Sequence, residues 1–465
     1  MLNYARALVF GGVIVTGSLV LLGQQPPQTP PQTPPPQQQP SEISTTIVGT
    51  GGQAPKLAVP DFLTLSNDGE TKEAAQTVGQ VLWDDMAFER EFDLIPRTEY
   101  RNVPAATSLE AVPFAQWAEL GADAVVIGTV RKDGAKISVQ VRLFNVKSQQ
   151  AVFSKEYSGS ATNPRLYAHT AADEIHKNQR DLVGIARTKI AFSSDRDGER
   201  MRGTIEERTI KEVYIADYDG ANQRRITVNR SLNITPVWAP DGRAIAYTSY
   251  RRNNTPDIFV SYIYEGRPPE TPAHGTERIH NFLPAYSPDG TRIAFMSNRD
   301  GNPEIYVMNR DGSNLRRITN HPGIDATPTW SPAGNQVAFT SDRSGNPQIY
   351  VTDADGLGAP RRITTTESYA DRPTWAPAPF NEIAYAGRSG PGYDIRIYDI
   401  ATGTTRQITN GEGSNESPAY SPTGRHLAFT SNRNGKTHVF TVGRDGNGLR
   451  QITKAGNNWM PNWSR

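Results

Sequence analysis

Between Arg187 and Arg465 the sequence repeats itself, and the repeat leaves few architectures open. Pro236-x-Trp-Ala-Pro-Asp-Gly, Pro284-x-Tyr-Ser-Pro-Asp-Gly, Pro328-x-Trp-Ser-Pro-Ala-Gly, Pro373-x-Trp-Ala-Pro and Pro418-x-Tyr-Ser-Pro-Thr-Gly open five units spaced 43 to 48 residues apart, and Pro461-x-Trp-Ser opens a sixth. Within a unit come an apolar strand (Ile293-Ala294-Phe295), a Ser-x-Arg-x-Gly turn (Ser297 to Gly301), a second strand (Ile305-Tyr306), usually an Asp-Gly turn (Asp311-Gly312), and Arg317-Ile318-Thr319. Four short strands per unit make a β-propeller blade. The region starts mid-unit, with Lys189 to Phe192 as a second strand, and ends on the missing first strand, Pro461 to Arg465. The two ends therefore build one blade together, which predicts six blades closed by the C-terminal strand and no exposed sheet edge at the seam.

Strand order assigns the faces. With the Pro-x-Trp strand innermost and directions alternating, the loops that enter it share one face, the mouth, with the Ser-x-Arg-x-Gly turns. The Pro-Asp-Gly and Asp-Gly turns share the other. The linker Gly184 to Thr188 enters on that second face, so whatever precedes it belongs opposite the mouth.

What precedes it, residues 56–186, alternates strands with helices. Leu57-Ala58-Val59 reads as a short buried strand, and a helix capped by Asn67 or Asp68 places Ala74, Val78, Val81 and Leu82 on one face. Pro113 to Leu120 is a second helix stopped by Gly121, followed by a strand from Asp123 to Val130. Ile137, Val139, Val141 and Leu143 alternate with polar residues as in a half-wet strand, and a third helix spans about Asn163 to Asp181. This is an α/β domain, helices beside a small mixed sheet.

The N-terminal 55 residues have another character. Met1 to Arg6 precede an uncharged run from Ala7 to Leu22, too short to span a bilayer comfortably, and residues 1–23 read as an export signal. Residues 24–55 are a spacer and tail: Gln24 to Pro40 is nearly pure Pro and Gln, which favours extended polyproline II, and Ile43, Thr45, Thr46, Ile47 and Val48 then form a candidate detachable strand. Lys plus Arg (49) balances Asp plus Glu (48), so no strong field is available for nucleic acid. Cysteine is absent, which excludes disulfides and thiolate chemistry.

The units resemble the PD40 propeller repeat, and residues 41–465 as a whole resemble the TolB family of the Tol-Pal envelope system. The matching segments are Trp117 to Gly128 (WAELGADAVVIG), Leu166 to Glu174 (LYAHTAADE) and Arg187 to Ala191 (RTKIA), followed by the six blades. The resemblance implies a periplasmic, non-enzymatic scaffold that binds the lipoprotein Pal on the propeller mouth and offers its tail to the inner-membrane protein TolA. It implies a role in outer-membrane integrity and cell division. It places Pal contacts where loops enter the innermost strands of the third and fourth blades, counting the shared blade as the first. His280 matches a family contact in a His-Asn-x-x-Pro setting, and Leu283 replaces a smaller residue beside Pro284. In the fourth blade a family Thr-Glu pair is Ala326-Thr327 here, with Asp325 as the nearest carboxylate. The TolA-binding strand maps onto Ile43, Thr45, Thr46, Ile47 and Val48.

Read on their own chemistry, Trp238, Tyr286, Trp330, Trp375, Tyr420 and Trp463 fill one repeated position and are expected in the core. Phe282 and Trp459 stand two residues before the repeat proline, on the rim of the mouth, where packing does not demand an aromatic. They are candidate partner anchors, with Arg278, Asp325, Asp371, Arg372 and Glu416 as a polar rim. Arg299, Arg343 and Arg433 of the repeated turns are expected to tie neighbouring turns together rather than bind anions. The charged insertion Arg202 to Lys211 lies on the mouth face, as a lid or partner contact if it has a role.

No catalytic residue, cofactor site or metal site is assigned. His169 and His176 share a helix face but lack a third ligand, and no Gly-x-Ser-x-Gly, phosphate-binding loop or His-Glu-x-x-His occurs. The expected partners are proteins, with no small-molecule substrate, and the expected state is a monomer. Two alternatives stay open: a propeller hydrolase or lyase, which needs acids or histidines clustered along the innermost strands, and a glycan-binding module, which needs a repeated surface aromatic.

Overall fold

The computed structural model describes residues 46–47, 53–200 and 209–464. The α/β domain begins with β1 (Lys56–Ala58) and β2 (Leu63–Thr64), then α1 (Gly69–Glu89) and β3 (Asp93–Leu94). A 3-10 turn (Arg97–Asn102) and α2 (Phe114–Glu119) lead to β4 (Ala124–Asp133), β5 (Lys136–Asn145), β6 (Gln150–Ser160) and α3 (Arg165–Arg180). The sheet runs β3-β1-β4-β5-β6, parallel at β3-β1-β4 and antiparallel beyond, with β2 also beside β4. Asp68 caps α1 as expected, its Oδ1 accepting from the Thr71 N–H at 2.7 Å. Val78, Val81, Leu82 and Met86 of α1 pack with Ala171, Ala172 and Ile175 of α3 over Val126, Val139 and Val141.

The propeller has six sheets. Five have four strands, and the shared one runs Asn458–Trp463, Lys189–Ser194, Glu212–Asp217, Arg224–Arg225, the C-terminal strand pairing antiparallel with Lys189–Ser194 as expected. The second blade departs from the four-strand expectation. It has three strands, and its fourth is reduced to a single bridge between Val260 and Glu270. Pro268, Pro269 and Pro272 flank that bridge and have no N–H to donate to a ladder. The Asp-Gly turns press against the preceding blade, and this is where glycine is indispensable. Gly220 and Gly312 both have φ of 89°, and a Cβ on either would strike a backbone carbonyl, of Ile452 and Pro272 respectively.

The α/β domain sits opposite the mouth. The C-terminal end of α1 inserts against the turns of the first and sixth blades. Glu89 Oε2 accepts from Arg425 at 2.6 Å, Arg90 pairs with Asp445 at 3.0 Å, and the Phe88 ring stacks on His426 with centroids 4.4 Å apart. Deeper in the joint, Asp85 of α1 is fully buried and accepts from His169 Nδ1 of α3 at 2.9 Å and from the Tyr218 hydroxyl of the propeller at 2.5 Å. One apolar core runs through both domains, taking in Ile190, Tyr214, Ala428 and Trp463.

His426 makes this joint acid-sensitive. Burial holds its imidazole down at about 4, while the neutral ring donates from Nε2 to the Phe88 carbonyl at 3.1 Å. The folded state therefore binds fewer protons than the unfolded chain between pH 6.5 and about 4, so stability falls as pH drops through that window. His426→Gln keeps a donor but cannot titrate. On going from pH 7 to pH 5, wild type is expected to lose about 2 kcal/mol more than this variant, read from urea midpoints at the two pH values.

Candidate functional site

At the mouth, one backbone device recurs in every blade. The residue before each repeat proline has positive φ: Thr235 (53°), Leu283 (56°), Thr327 (49°), Arg372 (55°), Ser417 (54°) and Met460 (54°). Each innermost strand slips register there. Phe282 opposes Met296 while Ala285 opposes Ala294, so three steps on the inner strand match two on its neighbour. A proline, having no N–H, is tolerated at such a bulge, and a non-glycine residue held left-handed stores strain of about 1 kcal/mol or more. Threonines of the preceding blade tether three of the six bulges. The Leu283, Arg372 and Met460 N–H groups donate to the hydroxyls of Thr248, Thr340 and Thr430 at 3.1, 3.2 and 3.1 Å. Leu283 and Thr327 thus line a central cavity of about 270 Å³, joined by the Arg372 side chain, rather than standing on the rim.

The rim is made by the residues two before each proline. Around the ring they are Trp459, Ile234, Phe282, Ala326, Asp371 and Glu416, all half-buried. The first four form an unbroken apolar arc over four blades. The last two form an acidic arc over the remaining pair. Phe282 is flanked edge-on by His280 at 6.3 Å and Tyr250 at 6.4 Å between centroids, so His280 and Phe282 form one patch. The His280 backbone is fixed by an N–H bond of 2.7 Å to Asn298 Oδ1. Trp459 carries the Lys211 ammonium 3.4 Å from its ring centroid, and burial lowers the pKa of that lysine. In the acidic arc Asp371 Oδ1 accepts from Thr340 Oγ1 at 2.8 Å, and Glu416 accepts from Ser414 at 2.8 Å.

Asp325 corrects the sequence expectation. It is fully buried, its Oδ2 accepts from Arg343 at 2.6 Å, and it presents no carboxylate to the mouth. It occupies a structural column, three residues before the proline, that is asparagine in four other blades. Asn281, Asn415 and Asn458 each accept a guanidinium bond from the arginine of their own blade's turn at 2.9–3.0 Å. On the other side, the amides of Asn233, Asn281 and Asn415 donate at 2.9–3.0 Å to Glu212, Asp257 and Asp394 of the preceding blade. Asp325 cannot donate. Its Oδ1 has no partner, and burial, with the Glu304 carboxylate adding to it, pushes its pKa up.

The turn arginines are therefore structural, as expected: each bonds the innermost strand of its own blade, and Arg299 and Arg433 also reach the loop that enters that strand, at the Ala273 carbonyl (3.3 Å) and Glu412 (3.4 Å). Each also lies over two rings, as Arg343 does over Phe339 and Tyr350 at 5.5 and 4.9 Å. Trp238, Tyr286, Trp330, Tyr420 and Trp463 are buried, and Trp375 of the same column is half-buried.

In the tail, Ile43, Thr45 and Val48 lie outside the described residues, as do 201–208 of the insertion. Thr46 is exposed. Ile47 is 1% exposed and has no strand partner among the described residues; its N–H donates to Gln179 Oε1 of α3 at 2.9 Å, and its side chain joins the core of the α/β domain. Among the described residues no group of three or more His, Asp or Glu side chains is placed to hold a metal, and no helix is long and apolar enough to cross a membrane.

Sequence reasoning named Phe282, Trp459, Asp371 and Glu416 but not the arcs they form. It missed Ile234 and the Lys211–Trp459 contact. Reading the second column before the proline as a ring would have found Ile234; nothing in sequence pairs Lys211 with a tryptophan some 250 residues away.

Residues 181–464 match the TolB beta propeller domain and residues 43–152 the TolB amino-terminal domain. A Tol-Pal system protein TolB of Desulfosudis oleivorans is 33% identical over 265 residues, 57% of each chain. Another, of Anaeromyxobacter sp. strain K, is 34% identical over 326 residues, 70% of this chain and 67% of its own. The chain spans 57–62% of the length of the first curated relatives it matches. The crystal structure of TolB from Acinetobacter baumannii superimposes with a TM-score of 0.74 at 27% identity, over 89% of this chain and 97% of that one.

Proposed function

The chain belongs to the TolB family, and from that footing we propose that it is a periplasmic scaffold that binds Pal on the propeller mouth and TolA through its N-terminal tail. It is a propeller component of the Tol-Pal envelope system. Its binding work supports outer-membrane integrity and cell division, and residues 1–23 deliver it to the periplasm. It is not an enzyme in this reading, and its partners are proteins.

The observation that carries the proposal is the unequal rim. Six equivalent positions hold four apolar side chains in one arc and two carboxylates in the other. Packing alone asks for the same residue in each blade. A protein partner asks for an aromatic anchor and a polar counterpart at defined places, and hot spots are rich in Trp and Tyr set among near-neutral neighbours. Phe282 with His280, and Trp459 with Lys211, are the anchors. Asp371 and Glu416 face a basic group of the partner, replacing the carboxylate that Asp325 does not provide. The docked Ile47 gives the tail a resting place on α3, from which TolA has to lift it.

Co-purification from envelopes tests this. Wild type is expected to recover Pal, and a Phe282→Ala/Trp459→Ala double variant less than about a tenth of that amount, by mass spectrometry of the bound proteins. Recovery of other proteins in place of Pal removes the proposal.

A further inference from the structure

The face of the α/β sheet opposite α1 and α3 has a thin cover: the 3-10 turn Arg97–Asn102, the following loop, and α2 pack over Ala58, Val125, Ile127 and Phe144. Beneath this cover lies a cavity of about 320 Å³, which falls at the lower end of the range for small-ligand pockets. Leu63, Val103 and Ile127 supply apolar wall, and Tyr100 meets Trp117 edge to face, centroids 5.1 Å apart.

The polar groups around it are unbalanced towards donors. The Arg97 head group bonds Asp61 at 3.2 Å, Gln80 at 3.1 Å and the Gly79 carbonyl at 2.9 Å, yet its buried Nε–H has no acceptor. Trp117 is 2% exposed, and its indole N–H also lacks an acceptor. Arg101 is exposed at the cavity, and no hydrogen bond or ion pair engages its guanidinium among the described residues. The Tyr100 hydroxyl is not free to compensate, because it donates to the Ile95 carbonyl at 2.9 Å and accepts from the Val59 N–H at 3.0 Å. Against two guanidinium groups the lining holds a single acid, Asp61, whose side chain is 82% exposed.

Buried donors without acceptors occur elsewhere in the chain, at Trp83, Trp238 and Arg396 among others, but here two of them stand with a partnerless guanidinium at one cavity, and that combination matches a carboxylate. We infer that this cavity binds an apolar or aromatic body carrying one carboxylate. That chemistry comes either as a small free acid or as the C-terminal residue of a partner chain. The inference concerns the α/β domain alone and does not depend on what the propeller mouth binds.

The test uses the full-length protein, ¹⁵N-labelled, with the Trp117 indole N–H signal identified by its loss in Trp117→Phe. The probes are 4-phenylbutyrate, its neutral amide 4-phenylbutanamide, and a hexapeptide ending in phenylalanine with a free or an amidated terminus. A saturable shift of the indole signal is expected with a carboxylate probe and at least tenfold weaker binding with its amide. Arg101→Gln, a change on an exposed side chain, is expected to weaken the carboxylate at least tenfold while leaving the rest of the spectrum in place. Ala106→Trp, which fills the cavity, abolishes the response. Binding of 4-phenylbutyrate assigns a free acid, and binding of the free-terminus peptide alone assigns a chain end. Equal binding of acid and amide forms, an unaffected Arg101→Gln, or no shift with any probe overturns the inference.

Discussion

Arg343→Ala is expected to destabilise the propeller by about 3–5 kcal/mol, because it leaves a fully buried carboxylate without its counter-charge. Asp325 already sits near Glu304 with one oxygen unpartnered, so Arg343 is what makes its burial tolerable. Asp325→Asn is expected to act in the opposite direction. It recreates the column of the other blades, with an amide oxygen for Arg343 and an N–H for Glu304, and gains about 1 kcal/mol at neutral pH. The pH dependence separates this from generic tolerance. The folded Asp325 has its pKa raised above that of the unfolded chain, so the folded state binds more protons and wild-type stability falls as pH rises through the folded value. The advantage of Asp325→Asn is therefore larger at pH 8 than at pH 4. Urea unfolding of the three proteins at both pH values checks the order; an Asp325→Asn variant less stable than wild type at pH 8 contradicts it.

Removing residues 458–465 is expected to abolish cooperative folding of the propeller. The lost strand does more than finish one sheet. Beyond its ladder with Lys189–Ser194, its Asn462 Oδ1 accepts from the Trp238 N–H of the second blade at 2.8 Å, and Trp463 donates to Thr188 at 2.7 Å. Without it, Ile190 and Phe192, both fully buried, open to water at the joint with the α/β domain, and two blades expose unpaired faces. The truncated chain is expected to show no sharp thermal transition in far-UV circular dichroism and to aggregate. A transition within a few degrees of the intact chain shows that the ring does not depend on closure.

The fold was legible because its signals recur. Six prolines before an aromatic, a Ser-x-Arg-x-Gly turn and an Asp-Gly turn each appear often enough to fix blade count, seam and faces, and the joint at Phe88, Arg90 and Asp445 lies on the face that strand order assigned. The irregular blade was less legible, since Pro268 and Pro269 delete donors from a strand that the repeat leads one to expect. Asp325 was misplaced for a physical reason. A carboxylate beside a rim looks available, and only the alternation of side chains along the innermost strand, visible as Asn281, Asn415 and Asn458 in the same column, shows that it points into the blade. The left-handed residues left no trace at all. Thr235, Leu283, Thr327, Arg372, Ser417 and Met460 share no chemistry, and a residue before proline is normally extended. At Leu283, Arg372 and Met460 the conformation is held by the threonine tethers, which are contacts between blades. The same holds for Lys211 on Trp459 and for Ile47 on α3: each joins segments whose proximity only the folded chain creates.

Calorimetric titration of the purified chain with soluble Pal measures whether the mouth is a protein-binding surface. Wild type is expected to bind saturably. Phe282→Ala and Trp459→Ala are each expected to weaken binding at least tenfold, about 1.4 kcal/mol or more. Leu357→Ala, an 86% exposed side chain beside an Asp-Gly turn on the opposite face, is expected to leave it unchanged. Absence of binding by wild type, or binding that survives both mouth substitutions and is lost with Leu357→Ala, rules out the mouth as the surface that binds Pal.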